Sequence, residues 1–294
     1  MERGNHTPIA PRGYLTLAVG RTAYLEMAVD MALSLREHTS LPMAVACDES
    51  LAAVARERYA SVFDSVTVLA PRFDRGRVRK YGVAEASPFT QTVFIDADCV
   101  VLGPLDHLFE PLARHSMAML GEQLGPADDQ NHHGFSTRRL MRRFALDRYL
   151  KTNSGVFAFR REPALEIMEA FLRCFEEEAR PRLRWSLLRG AWLGDEIAIG
   201  IVGGRLELGT LGGEHPMYWP SEFDSIDPDR PTKPLLHFIW PPGAPLLERL
   251  LQDMRRRRRE HGVPGDGADA WRAEARELER MKRRRRLLER LGWW

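Results

Sequence analysis

Cysteine is scarce in this sequence: three in 294 residues, at positions 47, 99 and 174, too few for a disulfide framework, which favours a reducing compartment. No run of about 18 consecutive apolar residues is present, so a bilayer-spanning helix is excluded. The amino end, Met1-Glu-Arg-Gly-Asn-His-Thr-Pro8, lacks the apolar core of a secretory signal and reads as a polar lead-in. No internal repeat is visible, and no glycine-rich phosphate loop follows the first strand candidate. These absences point to a cytoplasmic chain. What is present, 44% hydrophobic and 29% charged residues, argues against a disordered, collagenous or coiled-coil protein. The length allows a real core without disulfides or structural metal.

Strong net charge is also missing, but the balance is uneven. The chain is net +2, whereas residues 246–294 hold 15 Lys+Arg against 9 Asp+Glu, leaving the remainder mildly acidic. A basic tail commonly meets an anionic partner, nucleic acid or a membrane surface. Without an aromatic-basic recognition module, nucleic acid is not expected. Arg255–Arg259 and Lys282–Arg286 are the two basic runs, separated by Gly-Val-Pro-Gly-Asp-Gly at 262–267. Trp271, Ala275, Leu278, Met281, Leu288 and Leu291 form an imperfect apolar stripe ending in Trp293-Trp294, the pattern of a basic amphipathic surface anchor at the inner face of a membrane.

Ahead of the tail, strand and helix patterns alternate. Gly13–Val19 reads as a buried strand, Gly20-Arg21-Thr22 as a turn with Thr22 as cap, and Tyr24–His38 as a helix. Pro42–Cys47 reads as a second strand, Leu51–Tyr59 as a helix entered through Asp48-Glu49-Ser50, and Ser65–Leu69 as a third strand. Arg72–Lys80 is a basic, glycine-containing stretch. Thr92–Ile95 runs into Asp96-Ala97-Asp98 and continues as Cys99–Leu102; Gly155–Phe159, a helix over 163–178 and the apolar run Leu235–Trp240 follow. The alternation predicts an α/β domain with a largely parallel sheet, closed by the Pro-Pro-Gly-Ala-Pro stretch at 241–245.

In such sheets ligands gather beyond the carboxyl ends of the strands. Carboxylates one residue apart can share a hard divalent cation, which takes phosphate oxygens as further ligands and neutralises a departing diphosphate. The spacing alone says little, because Asp227-Pro228-Asp229 has it too, in a proline-rich loop. Asp96 and Asp98 differ in having apolar runs on both sides, where uncompensated carboxylates are costly.

The segment 87–109, Ser-Pro-Phe-Thr-Gln-Thr-Val-Phe-Ile-Asp-Ala-Asp-Cys-Val-Val-Leu-Gly-Pro-Leu-Asp-His-Leu-Phe, resembles the central signature of family 8 of the nucleotide-sugar glycosyltransferases, and ordered motifs extend the resemblance across roughly residues 13–245. It implies a GT-A fold, an α/β domain with a mixed, mostly parallel sheet, over 1–245, with a basic helical tail at 246–294. It implies Mn²⁺ or Mg²⁺ held by Asp96, Asp98 and His237, the last in Leu-Leu-His-Phe. By itself, a histidine amid apolar residues is more often a hydrogen-bonded core residue than a metal ligand. The sequence departs from the family at Trp240, where a glycine is usual, and at Gly243, where a phosphate-binding lysine is usual.

The same resemblance assigns the rest of a donor site. Ala18, Val19 and Tyr24 match the segment that holds base and ribose, with Tyr24 stacking on the base or packing into the core. Asp48 either meets the nucleobase or caps a helix, the cap being favoured. Arg79 or Lys80 occupies the place of a diphosphate-neutralising residue; with Arg72, Arg75 and Arg77 the stretch also reads as a solvated basic loop. Ala97 sits between the signature acids. Lys-Thr-Asn153-Ser-Gly155 resembles a strand entry whose amide meets sugar or acceptor, though Asn before Gly is also a turn signal. Asp195 and Glu196 fall at a short acidic motif facing the sugar, with Asp195 orienting donor hydroxyls and Glu196 near the reacting carbon, or with a carboxylate here acting as general base. The cluster Asp128-Asp129-Gln-Asn-His132-His133 looks like a metal site by composition, but its polar context favours a mobile acceptor or lid loop.

Together these predict a metal-dependent transferase that moves a sugar, with retention, from a UDP-sugar to an unidentified hydroxyl acceptor, glycan, lipid-linked or other. The alternatives are a nucleotidyltransferase on a related fold and a sugar-nucleotide-binding protein without activity.

Overall fold

The computed structural model describes residues 8–74, 76–187, 193–211 and 216–290; the polar lead-in up to Thr7, Arg75, Leu291, Trp293 and Trp294 lie outside the described residues. The first third alternates as the apolar spacing predicts: β1 (Ala10–Ala18), α1 (Thr22–Arg36), β2 (Met43–Cys47), α2 (Glu49–Arg58) and β3 (Ser65–Val68). Thr22 is the first residue of α1 and not its cap, because Arg21 holds that position without a side-chain bond. Asp48 does cap α2, its Oδ1 accepting from the Leu51 amide at 3.0 Å.

Two short 3₁₀ helices, Pro71–Phe73 and Gly76–Gly82, lead into α3 (Val83–Ala86) and β4 (Phe89–Ile95). β5 (Cys99–Val101) does not prolong β4, as the continuous apolar pattern suggests; it belongs to a second sheet, and Asp96-Ala97-Asp98 carries the chain between the two. β6 (Met117–Leu124), a hairpin of β7 (Asn131–His132) and β8 (Phe135–Ser136), α4 (Thr137–Phe144) and β9 (Tyr149–Arg160) follow. α5 (Arg161–Arg173) runs through a π-helical stretch, Cys174–Ala179, into α6 (Arg180–Leu187), where the sequence predicts one plain helix. The chain closes with α7 (Asp195–Arg205), β10 (Gly209–Thr210), β11 (Met217–Tyr218), β12 (Leu235–His237), α8 (Ala244–Glu260) and α9 (Ala268–Arg290).

The main sheet has the order β10-β6-β9-β4-β1-β2-β3. β9 runs antiparallel to both neighbours and every other pair is parallel, so the sheet is mixed and mostly parallel. The register of β9 on β6 jumps from Met119↔Phe157 to Leu120↔Asn153, a bulge that releases Ser154 and Gly155 from that ladder just where β4 ends. The second sheet, β11-β12-β5, sets His237 opposite Cys99. Apolar cores lie on both faces of the main sheet. All three cysteines are buried and unpaired.

α8 and α9 belong to one of these cores. Leu250, Leu251, Met254, Trp271 and Leu278 are buried with α1. Arg258 is 1% exposed; its Nε donates to Asp30 at 2.5 Å and its Nη1 to Glu26 at 2.9 Å, while Arg257 donates to Glu37 at 2.8 Å. Trp271 Nε1 donates to the other Asp30 oxygen at 2.8 Å. Arg257, Arg258 and Trp271 are therefore turned to the body, not to an outside surface. No helix among the described residues is long and apolar enough to cross a membrane.

Candidate active site

Asp96 is the first residue beyond β4, and its amide donates to the Gly155 carbonyl at 2.8 Å. Two residues on, the Asp98 carbonyl accepts from the Phe238 amide at 3.0 Å, which with the β5–β12 pairing brings His237 to the acids. His237 is 4% exposed, and its Nε2 lies 3.3 Å from Asp98 Oδ1 and 3.7 Å from Asp96 Oδ2. Burial pulls the imidazole pKa down, but the Asp98 carboxylate overrides it and the net shift is upward. Asp98 is the mirror image: burial raises it, and His237 together with Lys80 brings it below the ordinary value. Asp96 ends above that value, because burial outweighs Lys80 and the charge of Asp98 adds to it. Gly155 is required beneath the ring, since a Cβ there would strike His237 Cε1 and Nδ1. The repeated spacing at Asp227 and Asp229 is a solvated turn, closed by the Asp229 amide on Asp227 and by Arg249 on Asp229 at 2.6 Å.

Lys80 and Arg79, neighbours in sequence, go to different places. Lys80 Nζ donates to Asp96 Oδ2 at 2.6 Å and to Ser154 Oγ at 3.0 Å. Burial disfavours its charge, but Asp96 and Asp195 more than offset this, and it stays a cation. Arg79 lies against Gly20 at the end of β1 and pairs with Asp74 at 3.5 Å. Ser154, released by the bulge, is the junction: its hydroxyl donates to Asp195 Oδ2 at 2.9 Å and its amide to Glu196 Oε1 at 2.8 Å. Asn153 Oδ1 accepts from the Gly155 amide at 2.9 Å and braces the same bulge. Tyr81 Oη fixes the backbone carbonyl of Asp195 at 3.0 Å, at the amino end of α7.

The His132-His133 loop is a paired hairpin and not a free segment. His133 and Gly134 both have positive φ, +53° and +86°, as a two-residue type I′ turn requires. That turn delivers His133 Nε2 onto Glu196 Oε2. His132 is buried, held by Tyr149 Oη at 2.7 Å and the Thr152 carbonyl at 3.1 Å, with Glu196 3.6 Å away. Burial raises the Glu196 pKa, yet the bonds from His132 and His133 hold it well below the ordinary range.

Around the end of β1, Ala18 and Val19 are buried and Gly20, at φ +83°, donates its amide to Asp48 Oδ2 at 2.6 Å. Asp48 is thereby engaged as cap and turn clamp. Tyr24 is half-buried in the first turn of α1, with the Arg21 guanidinium 5.6 Å from its ring centroid. Trp240 is half-buried beneath Lys282 Nζ, 5.1 Å from its ring, and Gly243 precedes α8.

No protein-family profile and no curated protein matches the sequence. Solved structures do match in shape. The galactosyltransferase LgtC, in complex with donor and acceptor sugar analogues, superposes with a TM-score of 0.52 at 12% identity, over 89% of this chain and 99% of that one. The chain has the GT-A fold. The glycosyltransferase GlyE of Streptococcus pneumoniae TIGR4 gives a TM-score of 0.51 at 13% identity over 94% of this chain, which spans 64% of the length of GlyE. The bifunctional glycosyltransferase WbbM gives 0.50 at 11% identity, over 86% of this chain and 52% of that one.

On this GT-A scaffold the donor set suits a hard cation. Neighbouring ligands of an octahedral ion with bonds of about 2.1 Å sit about 3 Å apart, close to the His237–Asp98 and His237–Asp96 separations of 3.3 and 3.7 Å. His237 Nδ1 is buried without a hydrogen-bond partner among the described residues, so the ring is held by its Nε2 side alone. Cys99 lies beside Asp98 and His237, but burial keeps its thiol protonated and takes it out of contention. Sequence reading missed Ser154 and Tyr81, whose hydroxyls are chemically quiet until the bulge and α7 meet. It named His132 and His133 but not their hold on Glu196. The Asn131-His-His-Gly134 turn, with glycine at its second left-handed position, was the readable signal.

Proposed function

We propose that this protein is a metal-dependent glycosyltransferase that moves a sugar from a nucleoside diphosphate donor, UDP-linked, to a hydroxyl of a glycan or lipid-linked acceptor. One observation carries the reading: the β4–β5 turn and β12 bring Asp98 and His237 to 3.3 Å at the carboxyl end of β4, with Asp96 3.7 Å from the same imidazole. These three would hold Mn²⁺ or Mg²⁺, and the bound ion would neutralise the diphosphate as it leaves. Arg79 lies on the β1 side and brings further positive charge to the diphosphate; Ala18, Val19 and Tyr24 border the nucleoside. Ala97 and Gly155 shape the floor without side-chain chemistry. Lys80 holds Asp96 in place and lends its charge to the same pocket.

Asp195 and Glu196 face the transferred sugar, braced through Ser154 and, at the bulge, Asn153. A general base works best with a pKa near the operating pH, and Glu196 is held far below that. Its fixed negative charge instead suits a reacting carbon that becomes cationic. This favours retention, with the leaving diphosphate taking the acceptor proton. A second reading, a sugar-nucleotide-binding protein without transfer activity, draws on Trp240 and Gly243, neither of which supplies a cation to the diphosphate.

The test is a panel of nucleotide sugars with Mn²⁺, read as free nucleoside diphosphate. Slow donor hydrolysis is expected, abolished by Asp98→Ala and unchanged by Asp229→Ala. Mn²⁺-dependent UDP binding without turnover would select the second reading, and the absence of both would overturn the nucleotide-sugar assignment.

A further inference from the structure

The carboxyl-terminal helix reaches the nucleoside side of the candidate site. Trp271 of α9, fully buried, packs edge-on at 4.7 Å against Phe238, the residue after His237. Leu278 is buried in the same core, and Tyr24 packs against that core from α1. Glu274 lies three residues after Trp271 and four before Leu278, which in a helix puts it on the face they share, and it is half-buried. Its carboxyl is raised above the ordinary value by burial and by the charge of Asp98, with Arg21 opposing. The Tyr24 hydroxyl is likewise raised by burial and by the charge of Glu274, with Arg21 opposing. Glu274 thus lies on the α9 face that packs beside Phe238 and Tyr24, near enough to Asp98 to feel its charge, and no side chain among the described residues donates a hydrogen bond to it.

A half-buried carboxylate without a donor is costly unless a ligand supplies one. A nucleoside diphosphate lying between Tyr24 at its base and Asp98 at its diphosphate end carries its ribose in between. Phosphate oxygens and a carboxylate repel each other, whereas ribose hydroxyls are donors. We propose that Glu274 accepts hydrogen bonds from the ribose hydroxyls of the donor nucleotide, so that α9 is a wall of the donor pocket and selects ribonucleotides. This rests on the sugar-nucleotide reading above.

Calorimetric titration of the full chain in Mn²⁺ with UDP, ADP, GDP and CDP identifies the tightest binder, which is then compared with its 2′,3′-dideoxy counterpart. Hydrogen bonds to a charged group predict that the wild type favours the ribonucleotide about tenfold or more, and that Glu274→Gln brings the ratio within about threefold. Glu274→Asp, which keeps the charge but withdraws it by one methylene, is expected to fall between, and supports the test if the glutamine variant melts early. Glu277→Gln, on the exposed side of the same helix, is expected to keep the wild-type ratio. An unchanged ratio in both Glu274 variants overturns the proposal, and so does weaker binding at constant ratio, which places Glu274 on the base. If the wild type binds none of the four nucleotides in Mn²⁺, the sugar-nucleotide reading falls and takes this one with it.

Discussion

Glu196 and Asp195 are consecutive carboxylates with different partners. Asp195 Oδ2 accepts from the Ser154 hydroxyl, whereas Glu196 uses one oxygen for the Ser154 amide and the other for His133. A carboxylate with that many donors loses basicity, because each bond favours the ionised form. Lowering the pKa in the folded state also means that this group stabilises the fold above its ordinary value of 4.5 and ceases to do so as pH falls through the depressed folded value. We expect donor hydrolysis by the wild type to show no ionisation of Glu196 between about pH 5 and 8, and His133→Ala to move the acid limb of kcat upward. A wild-type profile that rises with a pKa near 6 and vanishes in Glu196→Gln would make Glu196 a general base and the reaction inverting. At this scale the sequence was readable where chemistry is tied to local context. Asp96 and Asp98 stood out from Asp227 and Asp229 because apolar strands flank them, and the structure separates the two pairs accordingly. Ser154 was not readable, because a serine gains significance only from what folds onto it.

Elements were legible where period and punctuation agree. β1 to β3 with α1 and α2 appear within a few residues of their patterns, since each strand is a short apolar run closed by a polar turn. β5 was misjoined to β4 because hydrophobicity records burial but not which sheet does the burying. The reversed direction of β9 is likewise invisible in a run of buried residues. The basic run at 255–259 misled for a different reason: such runs are usually solvated, but here Asp30 waits on the buried face of α1. That lone acid in Met27-Ala-Val-Asp-Met-Ala-Leu33 was a readable signal for a buried cation. Gly267, at φ +62°, belongs to the same contact, because a Cβ there would strike Asp30. Removing one partner of a buried ion pair leaves the other charged and unsolvated, which typically costs about 3–5 kcal/mol. Asp30→Asn should lower stability by about that much in urea unfolding, and Asp30→Asn with Arg258→Met should recover part of it. Equal stability of Asp30→Asn and wild type would mean that solvent reaches Arg258.

At the scale of the whole molecule, composition suggests a mildly acidic body over residues 1–245 with a basic tail appended, and the packing bears on whether the tail can be detached. Leu250, Leu251, Met254, Val263, Trp271 and Leu278 are each no more than 6% exposed and share a core with α1, β5 and β12. Burying side chains of this size contributes about 1.5–3 kcal/mol each, while a folded domain of any size is stable by only about 5–15 kcal/mol in total. Truncation after residue 245 would also leave Asp30 without Arg258 and Trp271, and Phe238, next to His237, without its ring partner. The shortened chain is therefore expected to unfold or aggregate rather than to remain an active enzyme that has lost a surface anchor. Circular dichroism and thermal melting of residues 1–245 decide the matter. A cooperative melt near that of the full chain would restore the tail to an appendage, and intact donor hydrolysis by that fragment would separate α9 from the site.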